Sequence, residues 1–174
     1  MLMIQWRLMR AILLILLAAA GACAQKVTVE FDQSADFSKY KTFAIRDGQL
    51  NSKNPALNSE LTKKQIDADI IRDLTARGLT VVSSGASDLN VRYVLGTGRR
   101  VETEAYPAGW YGRGTRIVRV PYAEGTLVIN LRDPATQSLV WRAIAQEEKH
   151  DATQIAGKLD DMVRKSIDKY PPKK

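Results

Sequence analysis

A chain of 174 residues is long enough for one domain with a proper core and too short for two comfortable ones. Its 45% apolar and 26% charged residues lie near globular averages, which excludes the fibrous and wholly disordered classes. Lys and Arg exceed Asp and Glu by 26 to 19, but Arg7 and Arg10 lie in an apolar N-terminal segment and the other charges are scattered apart from one loop, so an ordinary solvated surface is expected.

The N-terminal segment carries two arginines, then an acid-free apolar run over residues 11–20, then small residues. That run is far shorter than the roughly 18 to 20 residues of a bilayer span, so it reads as a secretory leader rather than a membrane helix. Two cleavage chemistries fit its end. Ala20-Gly21-Ala22-Cys23 satisfies a permissive lipobox, making residues 1–22 the leader and Cys23 a lipid-bearing first residue that anchors the chain, with the outer membrane the expected address. Ala22-Cys23-Ala24 equally reads as an ordinary small-residue site that would extend the leader to residue 24 and release a soluble periplasmic protein. The lipobox is the preferred reading. Cys23 is the only cysteine and is either lipidated or discarded with the leader, so no thiol is expected in the folded body, and intrachain disulfides, thiolate catalysis and cysteine-based metal sites are excluded.

A single domain is expected over residues 26–170, followed by a disordered tail at 171–174. Val27, Val29 and Phe31 alternate with polar residues, the mark of a half-buried strand. Residues 36–39 turn the chain into a second strand over 40–45, and residues 46–58, with Gly, Pro, Asn and Ser and no apolar period, read as a loop. Ile66, Ile70, Ile71 and Leu74 recur at helical spacing over 59–77, Gly78 fits the left-handed residue past a helix end, and Leu79 is placed to touch Leu74. Short strands follow at 79–82 and 89–95. Strand propensity returns over 126–132 and, after a turn at 133–138, over 139–145. Asp151 and Gln154 form a capping box for a last helix whose Ile155, Leu159, Met162, Val163, Ile167 and Tyr170 make one stripe, ended by Pro171-Pro172. Strands grouped together, without regular alternation with helices, predict an α+β fold: a single antiparallel or mixed sheet with two amphipathic helices packed on one face.

No catalytic constellation can be assembled. His150 is the sole histidine and lacks partners at metal-ligand spacing. Gly96-Thr97-Gly98-Arg99-Arg100-Val101 begins like a dinucleotide fingerprint but lacks the third glycine and the following helix. Ser166-Ile167-Asp168-Lys169 matches an S-x-x-K string in the wrong place, late in a terminal helix. The pairs Glu102/Glu104 and Asp160/Asp161 read as hydrated surface carboxylates. We therefore expect no enzyme, no cofactor and no metal.

The unusual stretch is 99–122. Arg99, Arg100, Arg113, Arg116 and Arg119 are interleaved with Tyr106, Trp110, Tyr111 and Tyr122, and Ile117, Val118 and Val120 suggest a β-hairpin arm within it. Guanidinium forks beside aromatic faces suit an anionic glycan, a lipid head group or an envelope protein. Arg99, Arg100, Trp110, Tyr111, Arg113 and Arg116 are the candidate binding residues; a hairpin folded back on the sheet edge is the purely structural alternative. Nucleic acid is not an expected partner, since an exported protein rarely meets it.

Several ordered blocks carry a family resemblance: Asp36-Phe37-Ser38-Lys39-Tyr40-Lys41-Thr42-Phe43, Val91-Arg92-Tyr93 with Gly96-Thr97-Gly98, Tyr122-x-Glu124-Gly125-Thr126-Leu127, and Leu139-Val140-Trp141-Arg142. Together they resemble the domain of unknown function 4136 family over roughly residues 26–170. The resemblance implies a bacterial envelope lipoprotein with a Gly- and aromatic-rich insertion before the Y-x-E-G-T-L block, and it brings no catalytic residues. Ile45, Asn130 and Gln137 depart from it, where Trp, Asp and Gly are usual.

Overall fold

The computed structural model describes residues 25–108, 114–149 and 151–172, with the side chains of 99–124 left aside. The elements in order are β1 (Lys26–Phe31), a 3-10 turn (Phe37–Lys39), β2 (Thr42–Asn51), a second 3-10 turn (Pro55–Leu57), α1 (Glu60–Ala76), β3 (Thr80–Val81), β4 (Leu89–Ala108), β5 (Gly114–Arg132), β6 (Leu139–Lys149), α2 (Ala152–Ala156) and α3 (Leu159–Ile167). The strands form one six-stranded sheet in the order β1-β6-β5-β4-β2-β3. β2 runs parallel to both β3 and β4, and the other pairs are antiparallel, so the sheet is mixed and the α+β expectation is met.

One face of the sheet is built by alternation. Val91, Tyr93 and Leu95 of β4 stand opposite Leu131, Ile129 and Leu127 of β5, which stand opposite Trp141, Ala143 and Ala145 of β6. All nine are buried. Helices α1 and α3 cover this face through Ile66, Ile70 and Leu74 and through Leu159, Met162, Val163 and Ile167. Ser59 caps α1 by accepting from the Thr62 N–H at 3.1 Å. At the other end Gly78 takes φ 89°, the Leu79 N–H reaches the Leu74 carbonyl at 3.2 Å and the Gly78 N–H that of Thr75 at 2.9 Å, which is the expected Schellman cap.

Three expectations are corrected. The loop assigned to 46–58 begins only after Asn51, because β2 passes a bulge between Ile45 and Asp47 and continues beside β4. The bulge shifts the alternation by one, bringing Gly48 opposite Tyr93, where a Cβ would lie 2.3 Å from the tyrosine ring. The last helix is two: Asp151 caps α2 by accepting from the Thr153 N–H at 2.8 Å, α2 ends at Gly157, and α3 starts at Leu159. Residues 96–108 and 114–125 form the suggested hairpin arm not within an inserted loop but as the continuation of β4 and β5 themselves.

The end of the sheet at which β2 and β4 begin is closed by aromatic rings. Phe37 meets Phe31, Tyr40 and Tyr170 edge-on at 5.8 to 6.2 Å between centroids, and Tyr170 meets Trp141 at 5.8 Å. The Asp133 carboxylate beside them accepts from the Tyr40 hydroxyl and the Lys39 ammonium, each at 3.1 Å. The opposite end carries the arm.

Candidate functional site: the arm of β4 and β5

β4 and β5 outrun their neighbours. On one side β2 gives its last pair at Asn51, opposite Gly96; on the other β6 gives its last at Lys149, opposite Ala123. From Arg100 opposite Tyr122 to Ala108 opposite Gly114 the two central strands pair only with each other, in unbroken register. At the usual strand rise, residues 100–108 reach about 30 Å beyond the sheet.

The root of this arm is fixed on both sides. Thr97 donates its hydroxyl to the Ser52 hydroxyl at 2.8 Å, and the Asn58 side-chain amide donates to the Ser52 carbonyl at 3.0 Å, which ties the departing β2 to β4. Across the sheet Glu147, buried opposite Gly125, is paired with Lys149 at 2.7 Å. Gly125 lies under α2, where a Cβ would come within 2.6 Å of Ile155. A side chain at 125 would therefore push α2 off the arm's root.

The register distributes the candidate residues. Arg99 stands opposite Ala123, Arg100 opposite Tyr122, Arg116 opposite Tyr106 and Arg119 opposite Thr103, so two of these four positions face an aromatic position across the ribbon. Trp110, Tyr111 and Arg113 lie outside the described residues, as do Cys23 and His150. The glycine-rich string at 96–101 is straight β4 and forms no phosphate-binding turn. Ser166 of the S-x-x-K string is buried and donates its hydroxyl to the Met162 carbonyl at 2.7 Å, an intrahelical bond that occupies it. Asp161 is held by Arg164 and by Lys165, the latter at 2.8 Å, and the Lys165 ammonium first, then the guanidinium, keeps its carboxyl below the ordinary range. Among the described residues no group of three His, Cys, Asp or Glu is placed to hold a metal ion. No described helix is long and apolar enough to cross a membrane.

The perturbed ionisable groups among the described residues serve the fold. Burial raises the Tyr93 phenol, whose hydroxyl donates to Asp67 at 2.7 Å, and so joins the sheet to α1. Burial likewise raises the Asp69 carboxyl against the opposing pull of Arg72 at 2.6 Å. The Lys39 ammonium is the main reason that Asp133 stays ionised below the usual carboxylate range. None of these contacts was legible beforehand, because each joins residues that share no local motif, apart from Asp69 and Arg72 at helical spacing.

A mixed sheet with helices on one face and a two-stranded arm at one end defines a fold class rather than an activity. The chain belongs to the family described as domain of unknown function 4136, whose model matches residues 27–172. The resemblance blocks are now seen to mark packing and turn positions: Tyr40, Phe43, Tyr93 and Trp141 are buried, and Gly125 seats α2. No curated protein sequence matches the chain. Among solved structures, a PDZ domain protein from Parabacteroides distasonis ATCC 8503 shares the fold at TM-score 0.60 and 18% identity over 85% of this chain, which spans 36% of that protein's length. PelC from Paraburkholderia phytofirmans, a dodecamer, gives 0.49 at 12% identity over 83% of this chain and 95% of that one. Protein XCC0632 from Xanthomonas campestris, of the DUF330 family, gives 0.42 at 12% identity, covering 83% and 88%.

Proposed function

We propose that this chain is an exported cell-envelope protein that works by binding rather than by catalysis, and that the β4–β5 arm is its binding element. The observation that carries the reading is the arm's projection beyond the last pairs at Asn51 and Lys149. A two-stranded ribbon is marginal alone in water, and this one extends about ten residues past its support. The buried rows of β4, β5 and β6, from Val91 to Leu95, Leu127 to Leu131 and Trp141 to Ala145, lie on the sheet before the arm begins. Its arginines and aromatic residues are the types most enriched at binding hot spots.

The leader signals support export, and Cys23 supports a lipid anchor to the outer membrane facing the periplasm; a mature chain beginning at an unmodified Gln25 would replace the anchored form with a free periplasmic one. An anionic glycan or an envelope protein suits the arm's residue types, whereas nucleic acid does not suit the compartment. The test replaces residues 105–116 with a short linker and measures retention on washed envelope fragments. The domain should unfold at its wild-type midpoint while retention falls severalfold. Unchanged retention by the folded variant would move the binding surface to the open face of the sheet, and an unfolded variant would make the arm structural.

A further inference from the structure

The chain enters the sheet at the end from which the arm leaves it. Lys26, the first residue of β1, stands opposite Gln146; Gln146 stands opposite Thr126, and Thr126 opposite Gly96, so the four make one row across the sheet. From that row β1 runs into the domain, and residues 98–108 and 114–124 run out of it. Cys23 precedes Lys26 by three residues, a reach of about 10 Å when fully extended.

We propose that the arm lies along the head groups of an anionic phospholipid surface, on the side of the domain from which the N-terminus emerges. This rests on the binding-arm reading and names its partner. A lipid on Cys23 would hold this end of the sheet against the membrane, and the arm projects from the same end. Paired residues share a face of the ribbon and successive residues alternate, so Arg99 and Arg119 lie on one face with Val101 and Ile117 and no acidic residue, while Arg100 and Arg116 lie on the other with Glu102, Glu104 and Glu124; the first face supplies guanidinium forks for phosphate oxygens. Exposed Lys26 and Lys53 flank the root, and exposed Lys158 follows α2, whose Ile155 lies against Gly125 at that root. Glu102, Glu104 and Glu124 in the same strands keep the arm's net charge low. The attraction is therefore short-ranged, made of individual guanidinium–phosphate contacts rather than a long-range field. The ribbon does not insert. Past Gly96 and Ala123 its outer edges have no strand partner among the described residues, and unpaired peptide groups are excluded from hydrocarbon, so it lies flat at head-group depth.

The test uses the chain from Gln25, which holds every core residue among those described and no lipid-bearing cysteine, sedimented with vesicles of phosphatidylethanolamine and phosphatidylglycerol or of phosphatidylcholine alone. It should co-sediment with the anionic vesicles and not with the neutral ones. Arg99→Ala with Arg119→Ala should weaken partition by about five-fold for each arginine removed. Lys41→Ala with Lys169→Ala, the same charge loss at the far end of the sheet, should leave it unchanged. Absence of sedimentation with anionic vesicles, or equal loss from both pairs, overturns the proposal. Retention on purified peptidoglycan without vesicle binding also overturns it while leaving a binding arm in place, whereas wild-type retention on envelope fragments after the arm is shortened removes the arm reading itself.

Discussion

Asp88 shows how one exposed carboxylate organises the start of the sheet. It accepts from the backbone N–H groups of Lys41 at 2.9 Å and Thr42 at 2.8 Å and from the Thr42 hydroxyl at 2.9 Å, while its own N–H donates to that hydroxyl at 2.9 Å. The Lys41 N–H is the largest cause, with Thr42 next, of a carboxyl held below its ordinary value. Asp88→Ala should cost about 1 kcal/mol at neutral pH, a modest figure because solvent screens an exposed group. The folded-state value lies below the unfolded one, so this stabilisation is fully present above about pH 4 and is lost as pH falls through the depressed value. Urea unfolding of wild type and variant between about pH 7 and pH 2 should show two curves that converge on acidification; a gap that widens would contradict the assignment. Asp88 was invisible in the sequence since its partners lie 46 and 47 residues away. Gln137 was legible in part: it stands where the resemblance expects glycine, and it takes φ 58° in the β5–β6 turn.

At the scale of elements, what the sequence made legible depended on unbroken periodicity. α1 could be read from Ile66, Ile70 and Leu74 with Gly78 as its stop, and both are found. β2 was cut short because the bulge after Ile45 puts Gly48 and Leu50 out of phase with Phe43 and Ile45, and a search for strict alternation ends there. The last helix was read as one because its stripe continues across the break at Gly157: Ile155 of α2 and Leu159 and Met162 of α3 are all buried. That shared stripe gives a prediction. Leu159 is fully buried against the sheet, so Leu159→Asp should cost on the order of 3 kcal/mol or more by placing an unpaired carboxylate among apolar groups. Lys165→Ala removes only a surface pair with Asp161 and should stay within about 1 kcal/mol. Denaturant midpoints measure both, and equal midpoints would mean that α3 does not face the core.

At the scale of the molecule, the domain has a closed end and an extended one. The closed end is tied by Trp141, Tyr170, Phe37 and the Asp133 cluster; the extended end carries the arm over a root fastened by Ser52, Thr97 and Gly125. The candidate site was legible in composition, since the Arg and aromatic residues of 99–122 stood apart from the rest, and the hairpin was suggested by Ile117, Val118 and Val120. Its continuity with the core strands was not legible, because Gly96 and Gly98 look like breakers although they pass through β4 with nothing against them. Nor was the shared end of N-terminus and arm, which follows from strand order alone. Hydrogen exchange tests in one experiment the proposal that core and arm are separate in purpose. In the free protein, amides of β4 from Val91 to Leu95 and of β5 from Leu127 to Leu131 should exchange only through global unfolding, while those of 99–108 and 114–122 exchange far faster and become protected when phosphatidylglycerol vesicles are added. Arm amides as slow as the core in the free protein, and unchanged by the vesicles, would contradict it.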